Sequence, residues 1–92
     1  MSIVIVGGNE CMVHRYQELC QTCNCDAKIF TKPKGIKEKM GTPDLLILFT
    51  NTVSHKMVKT ALSNVSNKDV RVVRSHSSSM SSLKQILEQH VM

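Results

Sequence analysis

Aromatic side chains are nearly absent from this chain of 92 residues, which has one tyrosine, two phenylalanines and no tryptophan. Phe30 and Phe49 lie inside apolar runs, so the sequence shows no platform of exposed rings on which bases could stack. The net charge of +5 is therefore the only feature of the sequence that suggests nucleic-acid binding. We interpret the lysine-rich stretch between positions 26 and 39 as a solvated face and do not expect a nucleic-acid partner.

Long apolar runs are also absent, and none approaches the roughly 20 residues that cross a bilayer. Met1 and Ser2 lead directly into the run Ile3–Val6, without the basic region, long apolar stretch and cleavage site of a signal peptide. We therefore expect a cytoplasmic protein that makes no membrane contact. In a reducing compartment its four cysteines would be free thiols, metal ligands or redox groups rather than disulfides.

A hydrophobic fraction of 41% and a charged fraction of 21% are typical of a folded protein, and the length predicts one domain over residues 1–92. Short β-branched runs alternate with segments of helical periodicity. Strands are predicted at Ser2–Val6, Lys28–Thr31, Leu45–Phe49 and Val70–Val73. Helices are predicted to follow Asn9, to span Ile36–Met40, and to begin near Ser54 and Ser79.

This alternation predicts an α/β fold, a small three-layer sandwich with a four-stranded parallel sheet. Right-handed crossovers and short turns favour a Rossmann-like or flavodoxin-like topology with strand order 2-1-3-4. A sheet this small leaves two edge strands exposed. We therefore expect a homodimer that covers them.

Polar residues follow three of the predicted strands, at the carboxyl ends where parallel sheets bind their ligands. We predict a ligand-binding site made by Gly7, Gly8 and Asn9 after the first strand, Asn51, Thr52, Ser54 and His55 after the third, and Arg74, Ser75, Ser77, Ser78 and Ser79 after the fourth.

The third of these segments indicates the chemistry of the ligand. A fixed positive charge at Arg74, several hydroxyls and a helix N-terminus suit a phosphate or a carboxylate. Capping the helix would need one serine only. Gly7-Gly8 could also expose amides to an anion, although a turn that simply requires glycine explains this pair equally well, and the full dinucleotide pattern is missing. The sequence thus favours a non-catalytic ligand-binding or sensor module for a small anionic or phosphorylated ligand.

Two alternatives use different side chains. Cys11, His55 and His76 could ligate haem or a transition metal, which would make the protein a redox or gas sensor. Cys11 is the cysteine best placed to react, because the dipole of a helix N-terminus favours a thiolate. A Cys-dependent enzyme, with Cys11 as nucleophile and His55 as base, ranks last because no carboxylate is placed to orient the histidine.

The remaining cysteines, Cys20, Cys23 and Cys25, lie at the other end of the first helix. We expect Cys20 to be a core residue. A closed zinc site is disfavoured, because no second Cys/His pair has the spacing of a zinc finger.

Three motifs together resemble a known bacterial family. They are the segments 3–8 (IVIVGG), 48–55 (LFTNTVSH) and 74–83 (RSHSSSMSSL). In combination they are similar to the family called domain of unknown function 2325. The resemblance covers nearly the whole chain and implies a small Rossmann-like cytoplasmic domain, but it supplies no ligand or activity.

Overall fold

The two most apolar runs of the chain form adjacent strands at the centre of the sheet. Ile3–Val6 and Leu45–Phe49 are buried at every position. These strands pair in parallel, with Ile3 opposite Leu45 and Val6 opposite Leu48. Continuous burial on both faces is the pattern expected for parallel strands covered by helices on either side.

The computed structural model describes residues 1–91. Its elements are β1 (Ser2–Val6), α1 (Val13–Thr22), β2 (Asp26–Phe30), α2 (Ile36–Lys39), β3 (Leu45–Phe49), α3 (His55–Val65), β4 (Arg71–Ser75) and α4 (Met80–His90), with one 3-10 turn, Glu10–Met12, before α1.

The four strands form one sheet in the order β2-β1-β3-β4, and each neighbouring pair is parallel. The predicted α/β class and strand order are therefore confirmed. Because the order runs outward from β1 and β3, the connections leave these two strands in opposite directions. The edge strands are β2 and β4.

Two apolar layers sandwich the sheet. On one face Tyr16 of α1 and Leu83 of α4 pack with Phe49 of β3 in a buried cluster. On the other face Ile36 of α2 and Met57 of α3 pack with a second cluster from the central strands. On this face α2 has 4 residues and α3 has 11. No helix among residues 1–91 is long and apolar enough to cross a membrane.

The cysteine-rich segment closes α1. Asn24 adopts a left-handed conformation with φ 59°. Its amide donates to the Gln21 carbonyl at 2.9 Å, and the Cys25 amide donates to the Cys20 carbonyl at 3.0 Å. This pair of bonds is the Schellman arrangement, in which the apolar residue after the turn packs against the last helical turn. Cys20 and Cys25 are both buried there, so the predicted core position of Cys20 is confirmed.

Two strands differ from their predicted bounds. β2 is Asp26–Phe30 rather than Lys28–Thr31, and β4 is Arg71–Ser75 rather than Val70–Val73. The second shift places Arg74 and Ser75 inside the sheet. Pairing with β3 continues past the apolar run, since the Thr50 amide donates to the Ser75 carbonyl at 2.8 Å.

Candidate functional site

The loops that follow β1, β3 and β4 meet at one end of the sheet, because all strands run in the same direction. We call this end the carboxyl edge and define it by residues 7–12, 50–56 and 74–79. In doubly wound sheets a ligand crevice opens where the connections diverge, here between β1 and β3.

That crevice is filled by the protein itself. The Gly8 amide donates to the Thr52 hydroxyl at 2.6 Å, and this hydroxyl donates in turn to the Phe49 carbonyl at 3.1 Å. A Cβ on Gly7 would lie 2.5 Å from Cγ1 of Val53. The two loops are therefore in direct contact, and the Gly8 amide is not available to an anion unless they separate.

The glycine pair thus has a structural reason. Gly7 and Gly8 adopt φ values of +102° and +89°, a region that side chains disfavour. A Cβ on Gly8 would also lie 2.8 Å from the ring of the buried Tyr16. These contacts support the interpretation that the turn requires glycine. Val53 also belongs to the crevice, although it was not among the predicted site residues.

The serines after β4 bond to one another. The Ser75 hydroxyl donates to the Ser77 carbonyl at 2.8 Å, and the Ser77 hydroxyl donates to that of Ser79 at 3.1 Å. Ser79 is the N-cap of α4: its hydroxyl accepts from the Ser82 amide at 3.2 Å and donates to the Ser82 hydroxyl at 3.0 Å. More than one serine therefore takes part in capping, and Ser82 belongs to this network although the prediction did not include it.

The buried side chain of Tyr16 forms a hydrogen bond to the same loop. Its hydroxyl donates to the Ser78 carbonyl at 2.6 Å, which joins α1 to the segment between β4 and α4. The ring stacks at a tilt on Phe49, with centroids 5.6 Å apart. Tyr16 was not among the predicted site residues.

Arg74 lies apart from the serine hydroxyls. It is paired with Leu48, whose side chain belongs to the cluster beneath α3, so Arg74 faces the α3 side of the sheet and Ser75 the opposite side. The side chain is exposed. The ion pairs found within residues 1–91, His14–Glu18 and Lys32–Glu10, do not involve it. By contrast, the guanidinium of Arg71 lies 3.3 Å from the ring of His90.

The N-terminus of α3 lies at the same edge. Ser54 is its N-cap, as predicted, and accepts from the Met57 amide at 3.2 Å. The amides of His55 and Lys56 precede the first intrahelical bond, so they point out of the helix end. His55, Lys56 and Asn51 are all exposed. The positive end of the α3 dipole and three polar side chains therefore face solvent at the carboxyl edge.

The proposed metal or haem ligands are not assembled into a cluster. Cys11 lies in the 3-10 turn, and both its amide and its thiol bond to the side chain of Asn9, at 3.2 and 2.9 Å. His55 and His76 are exposed on other loops. Within residues 1–91 no group of three or more His, Cys, Asp or Glu side chains could hold a metal ion.

All four cysteines are free thiols. Burial raises the pKa of Cys20 from 9.0 to about 11, and the neighbouring Cys25 and Cys23 add to the shift. The pKa of Cys25 is also raised, mainly by burial. A raised pKa opposes thiolate formation, so Cys20 and Cys25 are poorly suited to metal binding or nucleophilic chemistry in the folded state.

The sheet order, the helices on both faces and the loop-lined carboxyl edge define a small, doubly wound α/β domain. A family model described as "Uncharacterized protein conserved in bacteria (DUF2325)" matches residues 2–90, and the chain belongs to this family. Comparison with curated proteins and with solved structures finds no match.

Proposed function

We propose that this protein is a non-catalytic binding or sensor module that holds a small anionic or phosphorylated ligand at the carboxyl edge. The ligand would lie on the α3 side of the edge, against Arg74 and the first amides of α3. Asn51 and His55 would add hydrogen bonds. The serine segment would mainly fix the neighbouring loop, with its remaining lone pairs and protons facing the solvent.

One observation carries this proposal: Arg74 lies on the same face of the sheet as α3, is exposed, and is without an ion pair among residues 1–91. A guanidinium and a helix N-terminus are complementary to the same ligand, because both present N–H donors and positive potential to an oxyanion. Lys56 in the first turn of α3 adds a further positive charge.

The arrangement supports binding better than catalysis. Cys11 bonds to Asn9 and not to a histidine. Glu10, the acidic residue nearest in sequence, pairs with Lys32 at 3.0 Å. A nucleophile activated by a base needs that base within hydrogen-bond reach. The haem or metal alternative likewise gains no support, since its ligands are not clustered.

We also propose that the protein is cytoplasmic and that it forms a homodimer. Four free thiols suit the bacterial cytoplasm, where disulfides are rare. The free edge of β4 suits a homodimer, which sedimentation would detect.

The test is to titrate the protein with inorganic phosphate in an isothermal titration calorimeter. Three proteins are compared: wild type, Arg74→Gln and Arg15→Gln. Arg15 is an exposed arginine of α1 outside the residues that define the carboxyl edge, so its variant loses the same charge without removing a group of the proposed site. We expect saturable binding that weakens about tenfold or more in Arg74→Gln and is nearly unchanged in Arg15→Gln. Equal weakening in both variants would show a general charge effect and contradict the proposal.

A further inference from the structure

An open pocket with a volume of about 750 Å³ lies beside the edge strand β2, and Arg74 is not among its lining residues. Residues 29–35 and 37–39 line it, so it is formed by the end of β2, the following loop and α2. We call it the lysine groove. Its volume is within the range of about 300–1,000 Å³ that is usual for small-molecule sites.

The charge of the groove is strongly positive. Its lining contains four lysines, at positions 32, 34, 37 and 39, and one acidic residue, Glu38. Lys32 already pairs with Glu10 at 3.0 Å. Lys34, Lys37 and Lys39 are exposed, and neither ion pair of the described chain includes them. Three ammonium groups on one loop and one helical turn therefore lack a counter-charge from residues 1–91.

The lysines surround an apolar floor. Phe30 is only partly buried and lies at the margin of the cluster beneath α2 and α3. Ile29 and Pro33 line the same groove. Lys28 does not project freely here, because its ammonium group donates to the Lys39 carbonyl at 3.1 Å and thereby ties β2 to the end of α2.

The groove also contains unpaired backbone groups of β2. The Asp26 amide donates to Met1, and the Phe30 carbonyl accepts from Gly7, so these residues bond toward β1. Because the bonding direction alternates along a strand, the N–H and C=O of Ile29 point outward, toward the free edge. They present one donor and one acceptor side by side, which matches the donor and acceptor edge of a nucleobase.

We propose that the lysine groove binds a nucleoside polyphosphate. The base would bond to the N–H and C=O of Ile29 and contact Phe30, and the phosphates would be held by Lys34, Lys37 and Lys39. Lysine binds phosphate as a point charge and needs no bidentate geometry. This site is separate from the carboxyl-edge site of the proposed function and does not depend on it.

Other occupants match the groove less well. A second copy of this chain pairing through β2 would bring its own lysines against these, and like charges repel. A single-stranded nucleic acid would require several stacking rings, whereas the groove offers only Phe30.

The test is an NMR titration of the ¹⁵N-labelled full chain with ATP. We expect saturable amide shifts concentrated in residues 29–39. The dissociation constant should rise at least about tenfold in the double variant Lys34→Gln/Lys37→Gln. It should change less than about twofold in Lys68→Gln/Lys84→Gln, which removes the same charge from exposed lysines elsewhere.

Inorganic tripolyphosphate and a single-stranded oligonucleotide are titrated in parallel. ATP should bind more tightly than tripolyphosphate, because only ATP contacts Ile29 and Phe30. Equal affinity for tripolyphosphate, equal loss in both double variants, or shifts produced only by the oligonucleotide would overturn the proposal. ATP shifts confined to the carboxyl edge would overturn it too, and would instead support the proposed function.

Discussion

The amide of Gly8 and the hydroxyl of Thr52 lie 2.6 Å apart in a hydrogen bond that joins the loops after β1 and β3. These loops flank the position where parallel sheets of this topology open a crevice. In this protein the two loops are in contact and close the crevice, so a small ligand could bind only elsewhere on the carboxyl edge. We therefore place the proposed site beside β4 and α3, not between β1 and β3.

Replacing either glycine of this turn should destabilise the protein strongly. Alanine at position 7 would bring Cβ within 2.5 Å of Val53 and 3.0 Å of the Phe49 carbonyl, and alanine at position 8 within 2.8 Å of the Tyr16 ring. Adding the strain of a positive φ, we expect Gly7→Ala and Gly8→Ala each to lower the free energy of unfolding by about 2–4 kcal/mol in urea denaturation.

Gly41→Ala is the matched control. Gly41 also has a positive φ, +65°, but no atom lies within 4 Å of its added Cβ. Only the backbone term remains, so we expect a loss of about 1 kcal/mol. A loss as large as that of Gly8→Ala would mean that close packing of the two loops is not the reason for glycine in the turn.

Removing one oxygen tests the link between α1 and the serine loop. Tyr16→Phe deletes the 2.6 Å bond to the Ser78 carbonyl and keeps the buried ring on Phe49. We expect the free energy of unfolding to fall by about 1–2 kcal/mol, because a partly buried carbonyl loses its donor. Amide exchange should rise selectively in residues 76–79. Uniformly faster exchange across the sheet would indicate general destabilisation instead.

The four thiols should differ sharply in reactivity. Cys11 is exposed, whereas Cys20 and Cys25 are buried. Brief treatment of the native protein with iodoacetamide should therefore alkylate Cys11 first, leave Cys20 and Cys25 unmodified, and give an intermediate extent at Cys23, as read by peptide mass spectrometry. Unfolding in urea should make all four react. Early alkylation of Cys20 in the native state would contradict its position in the core.

Alkaline pH should weaken the fold through Cys20. Burial raises its pKa from 9.0 to about 11, so the unfolded chain loses this proton first. Stability is unaffected by Cys20 below pH 9 and falls as the pH rises through the window from 9 to about 11. The loss amounts to roughly 2 kcal/mol at pH 11.

The matched comparison is Cys20→Ala, which removes the Cys20 thiol and leaves every other ionisable group in place. We expect the wild type to be the more stable protein at pH 8, with its advantage shrinking by pH 11. A constant difference between the two proteins across this range would show that Cys20 does not carry the alkaline transition.

Local sequence patterns predict much of the fold. The runs Ser2–Val6 and Leu45–Phe49 mark two strands with their observed bounds. Ser54 and Ser79 are the N-caps of α3 and α4, which agrees with the predicted start of a helix near each of them. Alternation of strands and helices then leaves few topologies, and the strand order follows from right-handed connections.

The carboxyl edge was less predictable, because tertiary pairing decides it. Nothing local in Arg74 and Ser75 indicates a strand, yet the ladder with β3 includes them and separates their side chains onto opposite faces. The bond from Tyr16 to Ser78 spans 62 residues, and the contact of Gly8 with Thr52 spans 44. Such long-range contacts decide which polar groups stay free for a ligand, and a single sequence gives no sign of them.

The most direct test of the binding proposal is to map phosphate onto the protein by NMR. Titration of ¹⁵N-labelled protein should produce saturable shifts at the amides of His55 and Lys56 and around Arg74, and these shifts should be lost in Arg74→Gln. Small shifts that grow linearly with concentration, or saturable shifts that avoid the start of α3, would contradict the proposed anion site.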